Sequence, residues 1–99
     1  MREVMIAGVG TVKFGSFPDI GNYVHATHAI MNALKDADVS WRQVQAAFCG
    51  SVYQGTGSGH QALREIGLSG IPIVNVENAC SSGTSAFRLA YQTIASGLA

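Results

Sequence analysis

Ile71-Pro72-Ile73-Val74-Asn75-Val76-Glu77-Asn78-Ala79-Cys80-Ser81-Ser82-Gly83 is the stretch on which the reading of this 99-residue chain turns. Ile71 to Val76 is an apolar run with the length and β-branched content of a buried strand. From about Ser82 to Ser96 the apolar residues recur at helical spacing instead. Cys80 therefore stands where a strand gives way to the first turn of a helix. The N–H groups of that turn have no intrahelical partner, and the macrodipole adds partial positive charge there. Such a position favours thiolate, the reactive form of cysteine. The same N–H groups are placed to hold the oxyanion of a thioester under attack. Ala79, Ser81, Ser82 and Gly83 are small enough to let a substrate carbonyl reach the sulfur. The opposing reading is a buried structural thiol, the common fate of free cysteine.

Upstream, strands and helices alternate. Val4 to Phe14 is apolar, broken by Gly8 and Gly10, and predicts a first strand that ends at the Phe14-Gly15-Ser16-Phe17-Pro18-Asp19 turn cluster. Asn22 is placed to cap a helix whose apolar stripe is Tyr23, Ala26, Ile30, Ala33, Leu34 and Ala37. His25, His28, Asn32 and Lys35 share its opposite face. Two histidines at i and i+3 with no third ligand nearby predict a solvated face and no metal site. Ser40 and Gln43 match a capping box for a short turn at Trp41. Gln45 to Gln54 reads as a second strand, and Cys49 inside it as packing, since no helix start activates that thiol. The Gly55-Thr56-Gly57-Ser58-Gly59 loop, a short helix near His60 to Ile66 and a Gly67/Gly70 turn lead to the third strand. Strands separated by helices imply parallel pairing, right-handed crossovers and an α/β sheet. Ligand sites in such sheets lie at the carboxyl ends of strands, where Cys80 falls.

Composition narrows the choices. Charged residues make up 12% of the chain, about half the roughly 25% of an average globular domain. A small free-standing domain needs charge on its surface, so much of this surface is expected to lie against something else. Six basic and six acidic residues cancel, which points away from nucleic acid and anionic membrane. No segment approaches the roughly 20 apolar residues of a membrane span. Met1-Arg2-Glu3-Val4 enters a predicted strand without the zones of a signal peptide. Cys49 and Cys80 are therefore expected to be reduced, in the cytoplasm. The last helix carries Ala86, Phe87, Leu89, Ala90, Tyr91, Ile94 and Leu98 around most of its circumference, with a narrow polar line of Ser85, Arg88, Gln92 and Ser96. A helix apolar nearly all round is expected to be buried on several sides. With Gly97 read as its C-cap, the chain reads as the N-terminal piece of a larger α/β protein, or as one that completes its fold with partners.

Asn78-Ala79-Cys80-Ser81-Ser82-Gly83-Thr84-Ser85-Ala86, entered from Val74-Asn75-Val76-Glu77, resembles the nucleophile segment of the thiolase superfamily. The likeness is greatest to acetyl-CoA acetyltransferases and sterol-carrier-protein type thiolases. It extends over Glu3 to Leu98 and implies the opening βαβαβα of the first of two α/β units, an incomplete N-terminal domain over residues 1–99 with a buried nucleophile helix. It further implies that Cys80 accepts an acyl group from a coenzyme A thioester, with its own backbone N–H binding the thioester oxygen. The activity implied is thiolase-type acyl transfer, condensation or thiolysis, with coenzyme A as substrate and no permanently bound cofactor. The family's catalytic histidine and second cysteine come later in its fold, so His25, His28 and His60 take no role from the resemblance. Family dimers pair the strand before the nucleophile across a twofold axis, which implies Val74, Asn75, Val76, Glu77 and Asn78 at a homodimer edge. Some relatives work with a small zinc-containing OB-fold partner, and others perform retro-aldol cleavage.

Other readings stay open at this level. Glu77 stands near where many thiolases have Asn, and Ala-Cys-Ser-Ser is also similar to β-ketoacyl synthases, although Gly83-Thr84-Ser85-Ala86 favours thiolase. Gly57-Ser58-Gly59-His60-Gln61-Ala62 fits G-x-G-x-x-A between a strand and a helix, with Glu77 twenty positions after Gly57. Those are parts of a dinucleotide-binding fingerprint, although the first glycine does not follow the strand directly. A third reading is a thiolase-like subunit that binds a partner and catalyses nothing, because a nucleophile without its base cannot run the full reaction.

Overall fold

The computed structural model describes residues 1–53, 56–67 and 69–99. Helix α1 spans Asn22–Ala37, and a single 3-10 turn covers Trp41–Gln43. Strand β1 (Ala47–Gly50), helix α2 (Ser58–Arg64), strand β2 (Ile73–Val76) and helix α3 (Ser82–Ala95) follow. The two strands are parallel, in the register Ala47 to Ile73 through Gly50 to Val76, as the intervening helix requires. Bonds from Ala47 N–H to Pro72 C=O (3.0 Å) and Ser51 N–H to Val76 C=O (3.1 Å) prolong the ladder at both ends. Both strands are shorter than the runs Gln45–Gln54 and Ile71–Val76 had suggested; Gln54 and Gly55 lie outside the described residues.

The pleat sorts the side chains into layers. Gly50 faces the start of α3, whereas Cys49 faces Gly59 of α2. Helix α3 therefore covers one face of the sheet and α2 the other, and α1 packs on α2. Thr27 joins that second pair. It is 7% exposed, and its hydroxyl lies 2.8 Å from Tyr23 C=O and 2.5 Å from Ala62 C=O. The buried apolar residues are all small or medium (Ala62, Leu63, Ala86 and Ala95), and no large side chain is fully buried among the described residues.

Two expectations need correction. Val4 to Phe14 forms no strand. Its polar backbone groups instead bond to helices: Arg2 N–H to Ala95 C=O (3.0 Å), Val9 N–H to the Asp36 carboxylate (2.9 Å), and Thr11 C=O from Asn32 Nδ2 (3.1 Å). Gly8 and Gly10 lie so near the α1 backbone that the segment runs along the helix and not beside β1. Asn22 is the first helical residue and not the cap; Gly21 occupies the N-cap. Helix α3 packs one stripe on the sheet, and these residues do not cover its other sides. Ser82 and Ala86 are buried on that stripe, and Ala95, half a turn round the helix, is buried where its carbonyl accepts the Arg2 N–H, while Phe87 (59%), Tyr91 and, beyond the helix end, Leu98 (82%) are exposed. One two-stranded sheet offers one face to a helix, so the opposite side of α3 is left uncovered by these residues.

Other local signals hold. Gln43 Oε1 accepts the Ser40 N–H at 2.9 Å, as the capping box implies. Helix α3 ends in a Schellman motif, Gly97 at φ +83° taking the left-handed position, with Gly97 N–H on Ile94 C=O (3.1 Å) and Leu98 N–H on Thr93 C=O (2.9 Å).

Candidate functional site

Between the end of β2 and the start of α3 the chain reverses in four residues. Ser81 N–H donates to Asn78 C=O at 3.0 Å, so Asn78 to Ser81 is a β-turn with Ala79 and Cys80 at its centre. Ala79 lies at φ +49°, a conformation that costs an L-residue about 1–2 kcal/mol. The strain sits one residue before the thiol, which is exposed and unpaired in any disulfide.

A set of hydrogen bonds holds this elbow. Asn78 N–H donates to Ser82 Oγ and Ser82 Oγ–H donates to Ala79 C=O, both at 2.7 Å. Ser81 Oγ–H donates to Asn78 C=O (3.0 Å) and Asn78 Nδ2 to Ser85 Oγ (3.0 Å). Glu77 turns its carboxylate back to accept the Ala79 N–H at 2.5 Å. These bonds use the N–H groups of Asn78, Ala79 and Ser81 and leave the Cys80 N–H out. From below, β1 presses on the helix start: a methyl group on Gly50 would overlap the Ser82 carbonyl and stand 2.6 Å from Gly83 N. Above Gly83 the space is open, with nothing within 4 Å of where its Cβ would be. The result is an accessible thiol on a hydrogen-bonded strand–turn–helix corner.

The other singled-out residues lie elsewhere. Cys49 is half-buried, its sulfur 3.8 Å from Ser58 Oγ, in the wall of a cavity of about 440 Å³ that Tyr23, Ser51 and Gln61 also line. His60 meets Asn75 Nδ2 at 3.3 Å on the α2 side of the sheet. His25 stacks against Phe17 with ring centroids 5.1 Å apart, and His28 is exposed on α1. No group of three His, Cys, Asp or Glu side chains suited to a metal occurs among the described residues. Of the five residues expected at a dimer edge, Asn75 accepts the Gly59 N–H at 2.7 Å, and Glu77 and Asn78 serve the elbow. Strand β2 pairs with β1 along one side and has no strand on its other side among the described residues. Of the G-x-G-x-x-A residues, Gly59 and Ala62 are buried inside α2 and Gly57 is its N-cap at φ +74°, while Glu77 is engaged at the elbow. In the sequence Ser82 counts only as a small residue beside the thiol and Gly50 carries no signal; the contact between Gly50 and the Ser82 carbonyl joins segments that no local pattern pairs.

Cys80 thus stands on a strand–turn–helix corner of an α/β unit, and comparison with known proteins places that unit in a family. A family model described as the thiolase N-terminal domain matches residues 4–99, and the chain belongs to that family. It is 43% identical over 98 residues to non-specific lipid-transfer protein-like 2 of Caenorhabditis elegans, covering 96% of this chain and 24% of that one. It is 39% identical over 106 residues to sterol carrier protein 2 of Bos taurus, covering 99% and 19%. To the benzoylsuccinyl-CoA thiolase subunit BbsB of Thauera aromatica it is 40% identical over 100 residues, covering 99% and 26%. The chain thus spans about a quarter or less of the length of these relatives.

Proposed function

We propose that this chain supplies the nucleophile of a thiolase-type acyl-CoA acyltransferase, acting as part of a longer or split enzyme. The observation that carries this reading is the exposed Cys80 on its braced elbow, in a chain of the thiolase family. The Cys80 thiolate attacks the carbonyl carbon of an acyl-CoA thioester. The tetrahedral oxyanion takes the Cys80 N–H, which the elbow does not use. Collapse expels coenzyme A as its thiolate and leaves an acyl-cysteine. Coenzyme A or a carbon nucleophile then accepts the acyl group and frees the sulfur. The groups that move protons in these steps belong to the remainder of the complete enzyme. In this reading the enzyme is a cytoplasmic homodimer, joined along the open edge of β2.

The names of two relatives support a second reading, in which the protein binds or transfers lipid and Cys80 is silent. Intact mass before and after exposure to acetyl-CoA, with the adduct mapped by peptide, separates the two. One acetyl group on Cys80, absent from Cys80→Ala, is the result expected of the acyltransferase. An unmodified Cys80 under turnover conditions refutes it.

A further inference from the structure

Ser82 is 3% exposed, and both of its hydroxyl bonds reach back across Cys80. It accepts the Asn78 N–H and donates to the Ala79 carbonyl, each at 2.7 Å. The two residues before the thiol are thereby tied to the second residue after it. The neighbouring bonds from Asn78 Nδ2, from Ala79 N–H and from Ser81 Oγ are exposed, where water can replace a lost partner. The two bonds of Ser82 are part-buried, where replacement by water is poor and an orphaned group is costly. Ser82 is in turn seated by β1, because the absent side chain of Gly50 lets the strand end lie against the Ser82 carbonyl. The carbonyl that this hydroxyl restrains belongs to Ala79, the residue at φ +49°; without the hydroxyl only the longer bond from Ser82 N–H (3.2 Å) holds it, and the strained φ is freer to relax. That rotation would swing the following Cα–Cβ bond, and the sulfur with it.

We propose that Ser82 is a positioning residue for Cys80, its buried hydroxyl holding Asn78 and Ala79 so that the turn keeps the exposed sulfur in one orientation. The proposal rests on the reading of Cys80 as the acyl-accepting nucleophile. Ser82 touches no substrate; it acts through the turn. A hydroxyl is the required group, so threonine serves and alanine does not.

The test uses the full-length protein that carries this chain, as wild type, Ser82→Ala and Ser82→Thr, each checked for folding by circular dichroism. Three readouts are taken: kcat and KM with acetyl-CoA, the rate of acetylation of Cys80, and iodoacetamide alkylation of Cys80 against Cys49 in the same sample. Ser82→Ala is expected to slow acetylation and kcat by about 10- to 100-fold. KM and Cys49 alkylation should hold steady, and Ser82→Thr should recover most of the rate. A purely structural role would lower the melting temperature and the folded fraction without a kcat loss in folded enzyme that threonine reverses. Folded Ser82→Ala that acetylates at the wild-type rate overturns the proposal. Should that variant not fold, amide hydrogen exchange of the wild type decides: an Asn78 N–H exchanging at the unprotected rate also overturns it. Acetylation of wild type at a residue other than Cys80 would instead sink the nucleophile reading. Ser82 is then judged by Cys80 alkylation, which must still fall in the alanine variant and recover in the threonine one.

Discussion

Adding one methyl group at Gly50 sets the architecture of the elbow against its chemistry. The nearest atoms to a Cβ at that position are the Ser82 carbonyl carbon and oxygen and Gly83 N, the last at 2.6 Å. All three are backbone, so no rotamer change relieves the overlap, and ordinary contact begins near 3.4 Å. The start of α3 must therefore withdraw from β1 by about 1 Å, an overpacking of the kind that costs roughly 1–3 kcal/mol. For a domain of this size each kcal/mol corresponds to about 4–8 °C in melting temperature. Gly50→Ala is thus expected to melt on the order of 10 °C below wild type by calorimetry. Because the displaced residues are those that brace Cys80, its acetylation should slow by about 100-fold in the folded fraction, the usual effect of a misplacement near 1 Å. Gly83→Ala is the matched control. Its Cβ meets nothing within 4 Å, and replacing a helical glycine restricts the unfolded chain, so it should stabilise by about 0.5 kcal/mol. Equal melting temperatures for Gly50→Ala and wild type, with full acetylation, would refute the packing argument.

Cys80→Ala should abolish acyl transfer in the complete protein while Cys49→Ala largely spares it, measured as acetyl-CoA turnover; equal loss from both would end the assignment of roles. Thr27→Val keeps the shape but orphans the Ala62 carbonyl in the α1–α2 contact. It should destabilise by about 1–3 kcal/mol in urea melts, with Thr27→Ser closer to wild type. Asp38 closes α1 at φ 55°, a left-handed position where glycine is free of the Cβ penalty. Asp38→Gly should therefore stabilise by about 0.5 kcal/mol, less than the full steric gain because glycine also loosens the unfolded chain. A lower melting temperature in that variant would show that the aspartate contributes more than its backbone angle.

Local chemistry made much of this legible from the residues alone. The capping box at Ser40 and Gln43, the glycine stop at Gly97 and the parallel order of two strands about a helix all rest on short-range rules, and all appear in the structure. The position of Cys80 between β2 and α3 was legible for the same reason, since a change from β-branched run to helical period is a local signal. Val4 to Phe14 misled because its composition satisfies a strand, whereas a strand forms only where a partner edge receives it. Here its backbone groups find partners on α1 and α3 instead.

Sequence by itself determined where the helices lie, and that a thiol stands at the carboxyl end of a strand before a helix. Periodicity, caps and turn residues act within a few positions of one another, so those outcomes are written locally. Tertiary structure alone decided what braces the thiol. Ser82 matters because it is buried beneath the turn, and Gly50 because a strand thirty residues away needs its missing side chain to approach the helix. It also decided that α3 packs by one stripe and leaves Phe87, Tyr91 and Leu98 exposed. Burial depends on how many faces the surrounding chain can offer, a property of the assembled layers that no single segment carries.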